Sequence, residues 1–317
     1  MSANVLQSYH TRSYQPGDEA AIVNLFSDVF AQPLSLAQWR WKYTESGSVP
    51  PLARLAFDAS GRLVGHAGAI PLQGWRHGRM LPFFQVCDVM VALDARGQLG
   101  GRNLFTRLMR ELLSELAGRW PSAFTYGFPG QRPFRLGEYS RIYHRIEQVH
   151  LLEWSACSEG LFPFLRVQPL AWNDPQLNAL WTRLAPDFHL ALVRDQTYIH
   201  WRYASNPFHN YELLGLYLES WLFGWAVLRR KDDQLQLIDL LIAPRWLKPV
   251  VATLAQTAAA TGATRVEAWL PASWRIQAEV NQEPTEVVIS GVALKLPIMS
   301  AELARSLYYT MGDADIF

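Results

Sequence analysis

Asp88-Val-Met-Val-Ala-Leu-Asp-Ala-Arg-Gly-Gln-Leu-Gly-Gly-Arg-Asn-Leu-Phe105 is the stretch on which the reading of this chain turns. A β-rich run from Phe83 to Leu93 leads into it. Asp94 to Gly101 then breaks the pattern, and Leu104, Phe105, Leu108, Met109, Leu112, Leu113 and Leu116 recur at helical spacing. A strand that ends in a glycine loop and feeds a helix presents free backbone N–H groups and the positive end of the helix dipole, which suits a pyrophosphate. Gly97, Gly100 and Gly101 let backbone approach an anion, and Arg96 and Arg102 add charge. The arginines continue to Arg145, opposed only by Glu111, Glu115 and Glu138; solvated helix faces account for most such clusters.

Working outward, a short strand near Thr11 precedes a helix from Glu19 with Asp18 as its expected N-cap. Strands follow at Ala53–Phe57 and Leu63–Ile70, with a hairpin turn around Gly74 to Gly78. Beyond the central helix come strands at Ala123–Phe128 and Ile146–Trp154, with Pro129-Gly-Gln-Arg-Pro133 between them as a loop. A proline-rich stretch, Phe162 to Pro175, separates this series from a second of the same order: a helix to Leu184, strands near Tyr211–Tyr217, Leu222–Arg229 and Leu235–Ile242, a helix from Lys248 and a strand from Arg265. Trp41-Lys-Tyr43 and Trp201-Arg-Tyr203 occupy equivalent places and read as aromatic plugs packing helix onto sheet. The expected fold is α/β with mixed sheets in two tandem halves, 1–158 and 159–317.

The 317 residues suit two domains of average size. Half are apolar and 18% are charged, which excludes a disordered chain, and a net charge of +1 argues against a dedicated nucleic-acid binder. Two cysteines, Cys87 and Cys157, make no disulfide framework and no zinc spacing, so no metal is expected. No signal-like leader or membrane span is visible, and the expected location is cytoplasmic. His66, His144 and His200 lack carboxylate or cysteine partners at ligand spacing and read as packing or solvent residues.

Four pieces together resemble the GNAT superfamily of acyl-CoA-dependent N-acyltransferases: Arg12-Ser-Tyr-Gln-Pro-Gly-Asp-Glu-Ala-Ala-Ile22, Arg62-Leu-Val-Gly-His-Ala-Gly68, Asp88 to Gly97, and Tyr126-Gly-Phe-Pro129. The resemblance spans most of residues 11–150. It implies acetyl-CoA or another acyl-CoA as co-substrate, with backbone at Met90 and Val91 holding the pantetheine arm. Its pyrophosphate signature, Gln/Arg-x-x-Gly-x-Gly/Ala, is met by Gln98-x-x-Gly101-x-Asn103 with Asn103 in the last small position, whereas a start at Arg96 puts Leu99 where glycine is expected. Arg96, Gly97, Gln98, Gly100, Gly101, Arg102 and Asn103 are the implied phosphate-binding residues.

The chemistry of that family needs a positioned base and acid. Asp88 is the candidate base. Pro133 stands where the family's tyrosine is usual, which leaves Tyr126 or Tyr139 as the acid. In the second half Ile242-Ala-Pro-Arg-Trp-Leu-Lys-Pro249 occupies the loop position without glycine, and its prolines remove donors, so that half is expected not to bind CoA. In some two-domain relatives the C-terminal carboxylate acts as a base, and by analogy Asp313, Asp315 or the Phe317 carboxylate would bind an amine. The implied function is acyl transfer from CoA to a small amine or amino sugar held between the halves. The alternative is a GNAT-derived binding or scaffold protein without catalysis.

Overall fold

The computed structural model describes residues 9–46, 50–97, 103–158, 162–278, 280–296, 298 and 300–316. Its first series runs β1 (His10–Ser13), α1 (Glu19–Phe30), α2 (Leu36–Tyr43), β2 (Leu52–Phe57), β3 (Leu63–Arg76), β4 (Arg79–Val91), α3 (Leu104–Arg119), β5 (Ala123–Gly127), α4 (Gln131–Tyr139) and β6 (His144–Ser155). The second runs β7 (Leu165–Pro169), α5 (Gln176–Leu184), β8 (Leu190–Leu192), α6 (Gln196–Ile199), β9 (Glu212–Leu218), β10 (Trp221–Lys231), β11 (Gln234–Leu241), α7 (Leu247–Ala260), β12 (Arg265–Ala268), α8 (Ala272–Ala278), β13 (Asn281–Leu294) and α9 (Ser300–Ser306).

Strand, loop and helix thus stand where the central stretch predicts them, and the differences have local causes. Asp18 stands at the N-cap of α1 but its side chain makes no capping bond: its carboxylate accepts from the two terminal Arg12 guanidinium nitrogens at 2.7 Å and from the Gln15 amide. The capping box belongs to α2, where Ser35 and Gln38 exchange hydrogen bonds. Strand β3 runs on through Gly74, because a side chain there would strike the Phe83 ring at 2.0 Å, and the chain turns at His77 and Gly78, both with positive φ. The proline-glycine segment after β5 opens α4 rather than a loop. Gly130 and Gln131 precede Pro133, which tolerates the first helical turn because no intrahelical donor is lost there.

The strands form one sheet in the order β1-β2-β3-β4-β5-β13-β6-β12-β11-β10-β9-β7, with β8 pairing β3. Read inward from its two ends, this order is nearly the same list twice. The last strand of each series crosses over: β13 pairs β5 of the first series, β12 of the second pairs β6, and β6 and β13 meet as an antiparallel pair in the middle. The second core accordingly reaches under the first half, taking in Phe83, Phe124 and Tyr126. The Trp triplets confirm the duplication in three dimensions. Trp41 Nε1 donates to the Trp201 carbonyl at 2.8 Å, Trp201 Nε1 donates to the Trp41 carbonyl at 3.0 Å, and the rings stack at 5.4 Å. No helix of the described residues is long and apolar enough to cross a membrane.

Candidate active site

Strands β4 and β5 run parallel through the pairs Phe83–Phe124, Phe84–Thr125 and Gln85–Tyr126, and then part. The cause lies on the other edge of β4. Its register against β3 jumps between His66–Met90 and Gly68–Cys87, and Asp88 in that interval has φ +49°, so the strand carries a bulge that bends it away. His66 Nδ1 lies 2.6 Å from the Asp88 carbonyl and fixes the bulge from behind. Across the gap Gly127 is required, since a side chain there would meet the Val86 carbonyl oxygen at 2.8 Å.

The opening leads into a cavity of about 640 Å³. Helices α3 and α2 pack on opposite faces of β3, as the leucines of α3 crowd Gly65 and Tyr43 of α2 crowds Gly68, three residues on. The cavity has walls from both. On the α3 side stand Phe105, Met109 and Leu113, spaced one helical turn apart, with Tyr143. On the α2 side are Phe26, Phe30, Gln32 and Leu34, then Trp41 and Lys42, then Asn206, Phe208 and His209 from the second half, and Asp315 and Ile316 of the C-terminal segment. The strand itself contributes Val86, Cys87, Asp88 and Val89.

Lys42 is the electrostatic centre. Its ammonium donates to Asp88 Oδ1 and to Asp315 Oδ2, both at 2.8 Å, with Lys42 and Asp88 side chains buried and that of Asp315 23% exposed. Burial opposes the charge of Lys42, but Asp315 and Asp88 outweigh it and hold its pKa well above the ordinary lysine value. Asp88 is likewise penalised by burial, and Lys42 more than compensates, so its pKa lies below the usual carboxylate range. Its second oxygen accepts from the Tyr43 hydroxyl at 2.7 Å. Cys87, Asp88 and Asp315 offer atoms within 4.8 Å of one another, yet burial keeps the Cys87 thiol protonated and Lys42 already supplies the positive charge. His209 is neutral near pH 7, because partial burial, then Arg229 and Arg202, pull its pKa down to about 4.

Of the residues expected from sequence, Asp88 and Tyr126 meet on this cavity, and Asp315 joins them. The Tyr126 hydroxyl is buried with no hydrogen-bond partner, and burial, followed by Asp313, raises its pKa well above the ordinary phenol value. Tyr139 is 83% exposed on α4 and does not line the cavity. Met90 is buried and, with Val91, lies beyond the lining part of β4. Arg96 donates to the Val91 carbonyl, Gly97 takes φ +107°, and Asn103 caps α3 by accepting from the Phe105 and Thr106 amides at 2.9 and 3.4 Å. Gln98, Gly100, Gly101, Arg102 and Phe317 lie outside the described residues. Asp313 belongs to a different cluster, paired with Arg194. Sequence reasoning passed over Lys42, Phe208 and His209; the Trp-Lys-Tyr triplet was the one signal pointing at the first.

The second half repeats the frame. Strands β11 and β12 pair from Gln234–Arg265 to Leu237–Ala268 and part, and Asp239 just beyond accepts from the Tyr203 hydroxyl at 2.7 Å, as Asp88 does from Tyr43. Here the chain's own Tyr308 enters. Its hydroxyl donates to the Leu240 carbonyl at 2.6 Å, and its ring packs on Trp274 and Phe188 at 4.6 and 4.8 Å.

Comparison with known proteins agrees with this geometry. Residues 10–144 match the family model described as an acetyltransferase (GNAT) domain. No curated protein matches the sequence significantly. Among solved structures, a conserved protein of unknown function from Enterococcus faecalis V583, described as a probable N-acyltransferase, superposes with TM-score 0.69 at 12% identity, over 91% of this chain and 73% of that one. A GCN5-related N-acetyltransferase from Kribbella flavida gives 0.66 at 17% identity, over 93% and 73%. The N-myristoyltransferase of Saccharomyces cerevisiae, solved with bound myristoyl-CoA, gives 0.60 at 10% identity, over 90% and 82%. Such identities speak to the fold, which is shared across nearly the whole chain.

Proposed function

We propose that this chain, which belongs to the GNAT superfamily in tandem form, transfers an acyl group, acetyl in the simplest case, from CoA to an amine bound between its halves. One observation carries the reading: the cavity opens through the gap between β4 and β5, with the N-terminus of α3 beyond one wall and a carboxylate of the C-terminal segment on the other. Backbone from Val86 to Val89 holds the pantetheine arm and thioester. Arg96, Gly97, Asn103 and the loop between them take the pyrophosphate. Asp315 accepts the proton of the incoming ammonium, through water if needed. The freed amine attacks the thioester carbonyl, the C–S bond breaks, and the proton lost from nitrogen passes, directly or through water, to the departing thiolate; the Tyr126 hydroxyl, buried in the second core, would have to turn towards the gap to supply it. Asp88, engaged on both oxygens, holds Lys42 and Tyr43 in place. The halves 1–158 and 159–317 divide the work, the first binding CoA and the second walling the acceptor.

A second reading, a binding protein without catalysis, is favoured by Asn103, whose side chain already satisfies two of the amides a phosphate would use. Calorimetric titration with acetyl-CoA separates the two. The enzyme reading expects saturable binding that weakens at least about tenfold in Gly101→Phe, because a bulky side chain blocks backbone approach. No binding at millimolar acetyl-CoA supports the second reading instead.

A further inference from the structure

We infer that the acceptor is a protonated primary amine on an aromatic or branched apolar body, and not a polyhydroxylated amino sugar; this rests on the acyl-transfer reading above. The α2-side wall offers little for hydroxyl groups. Its neutral polar side chains are Gln32, which is exposed, Asn206 and His209, and Asn206 is spent: its Oδ1 accepts from the Phe208 and His209 amides and its Nδ2 donates to the Arg202 carbonyl. The apolar part of the wall reaches solvent, with Phe30 43%, Phe208 39% and Ile316 60% exposed while all three line the cavity. Trp41 beside them is held rigid by its reciprocal bonds with Trp201 and by the edge of Phe208 at 5.6 Å. Hydroxyls brought against those apolar side chains lose water without gaining partners.

Charge selects the other end of the substrate. Among the described lining residues one ammonium, Lys42, faces two carboxylates, Asp88 and Asp315, so the lining itself carries one negative charge in excess, with the buried Arg202 behind it donating to the Gly312 and Ala314 carbonyls. His209 adds none near pH 7, since its pKa is about 4. Asp88 is enclosed. Asp315 is the carboxylate that solvent reaches, and a carboxylate has lone pairs for a second donor beside Lys42. An ammonium drawn to Asp315 places its apolar body against Phe30, Phe208 and Ile316.

The test measures CoA release from acetyl-CoA with 2-phenylethylamine and with glucosamine, after acetyl-CoA binding has been measured separately. The expected result is kcat/KM for 2-phenylethylamine at least about tenfold above that for glucosamine, a KM for it raised about tenfold by Phe208→Ala with kcat little changed, and acetyl-CoA affinity unaltered. Phe30→Ala, on the exposed rim, gives the same KM shift if Phe208→Ala folds poorly. Equal or better use of glucosamine overturns the inference, as does release with neither amine by protein that binds acetyl-CoA. Absence of acetyl-CoA binding overturns it by removing the acyl-transfer reading beneath it.

Discussion

The two clefts of this molecule share a plan and differ in what fills them. Between β4 and β5 the gap is an open cavity; between β11 and β12 it holds Tyr308, with its hydroxyl on a backbone carbonyl just past the strand's aspartate. The aspartates differ in the same sense. Asp88 pairs with Lys42 and, through it, with the partly exposed Asp315, whereas Asp239 pairs with Arg194, fully buried, which also holds the buried Asp313. Burial and the neighbouring Asp239 push the Asp313 pKa up despite Arg194. A duplicated frame thus keeps one cleft open and turns the other into core, by spending the same strand geometry on the chain's own aromatic side chains.

Breaking the buried cluster has the largest expected effect. Arg194→Met leaves two carboxylates without their cation and costs about 3–5 kcal/mol, a fall in Tm of roughly 10 °C. Lys42→Met costs less, because Asp315 can turn to water; thermal unfolding of both variants decides it, and an equal loss would show that the clusters do not differ. Next in size, Val89→Trp makes the first cleft resemble the second. Acetyl-CoA affinity should drop more than about a hundredfold, near 3 kcal/mol, with Tm within a few degrees of wild type. Unchanged affinity in a titration would place CoA elsewhere.

Removing Asp315, Ile316 and Phe317 separates the roles of the C-terminal segment, since Tyr308 and Asp313 stay in place. Turnover should fall at least about tenfold while the acetyl-CoA Kd shifts less than about threefold. The smallest effect concerns His209, whose folded pKa of about 4 lies below its ordinary 6.5. Between these values the unfolded chain binds the extra proton, so stability falls as pH drops from 6.5 towards 4. His209→Asn should flatten that slope in urea titrations across the window, and leave stability at pH 8 nearly unchanged.

Much of the fold was legible because it is locally encoded. The leucines of α3 repeat at helical spacing, and the β-rich runs of β2 to β5 and β9 to β12 are bounded by turn residues. Strand β13 was not legible: Asn281-Gln-Glu-Pro284 opens it with polar residues and a proline, and its partners β5 and β6 lie more than a hundred residues away. The site divides the same way. Asp88 and Tyr126, which line the cavity, are singled out in the sequence by type and position, while Phe208 and His209 sit in a loop whose sequence has no motif and line it only because the second half lies against the first.

By itself the sequence determined the succession of elements, its repetition, the lack of glycine in the second loop and the likeness to the acyltransferase family, since each depends on neighbours within a turn or a hairpin. Only the tertiary structure decided that Lys42 and Asp315, 273 residues apart, form an ion pair, that β6 and β13 change places, and that Tyr308 closes one cleft while the other stays open. Those outcomes depend on burial and on long-range pairing, where a side chain's energy is set by what surrounds it and no local pattern records the surroundings.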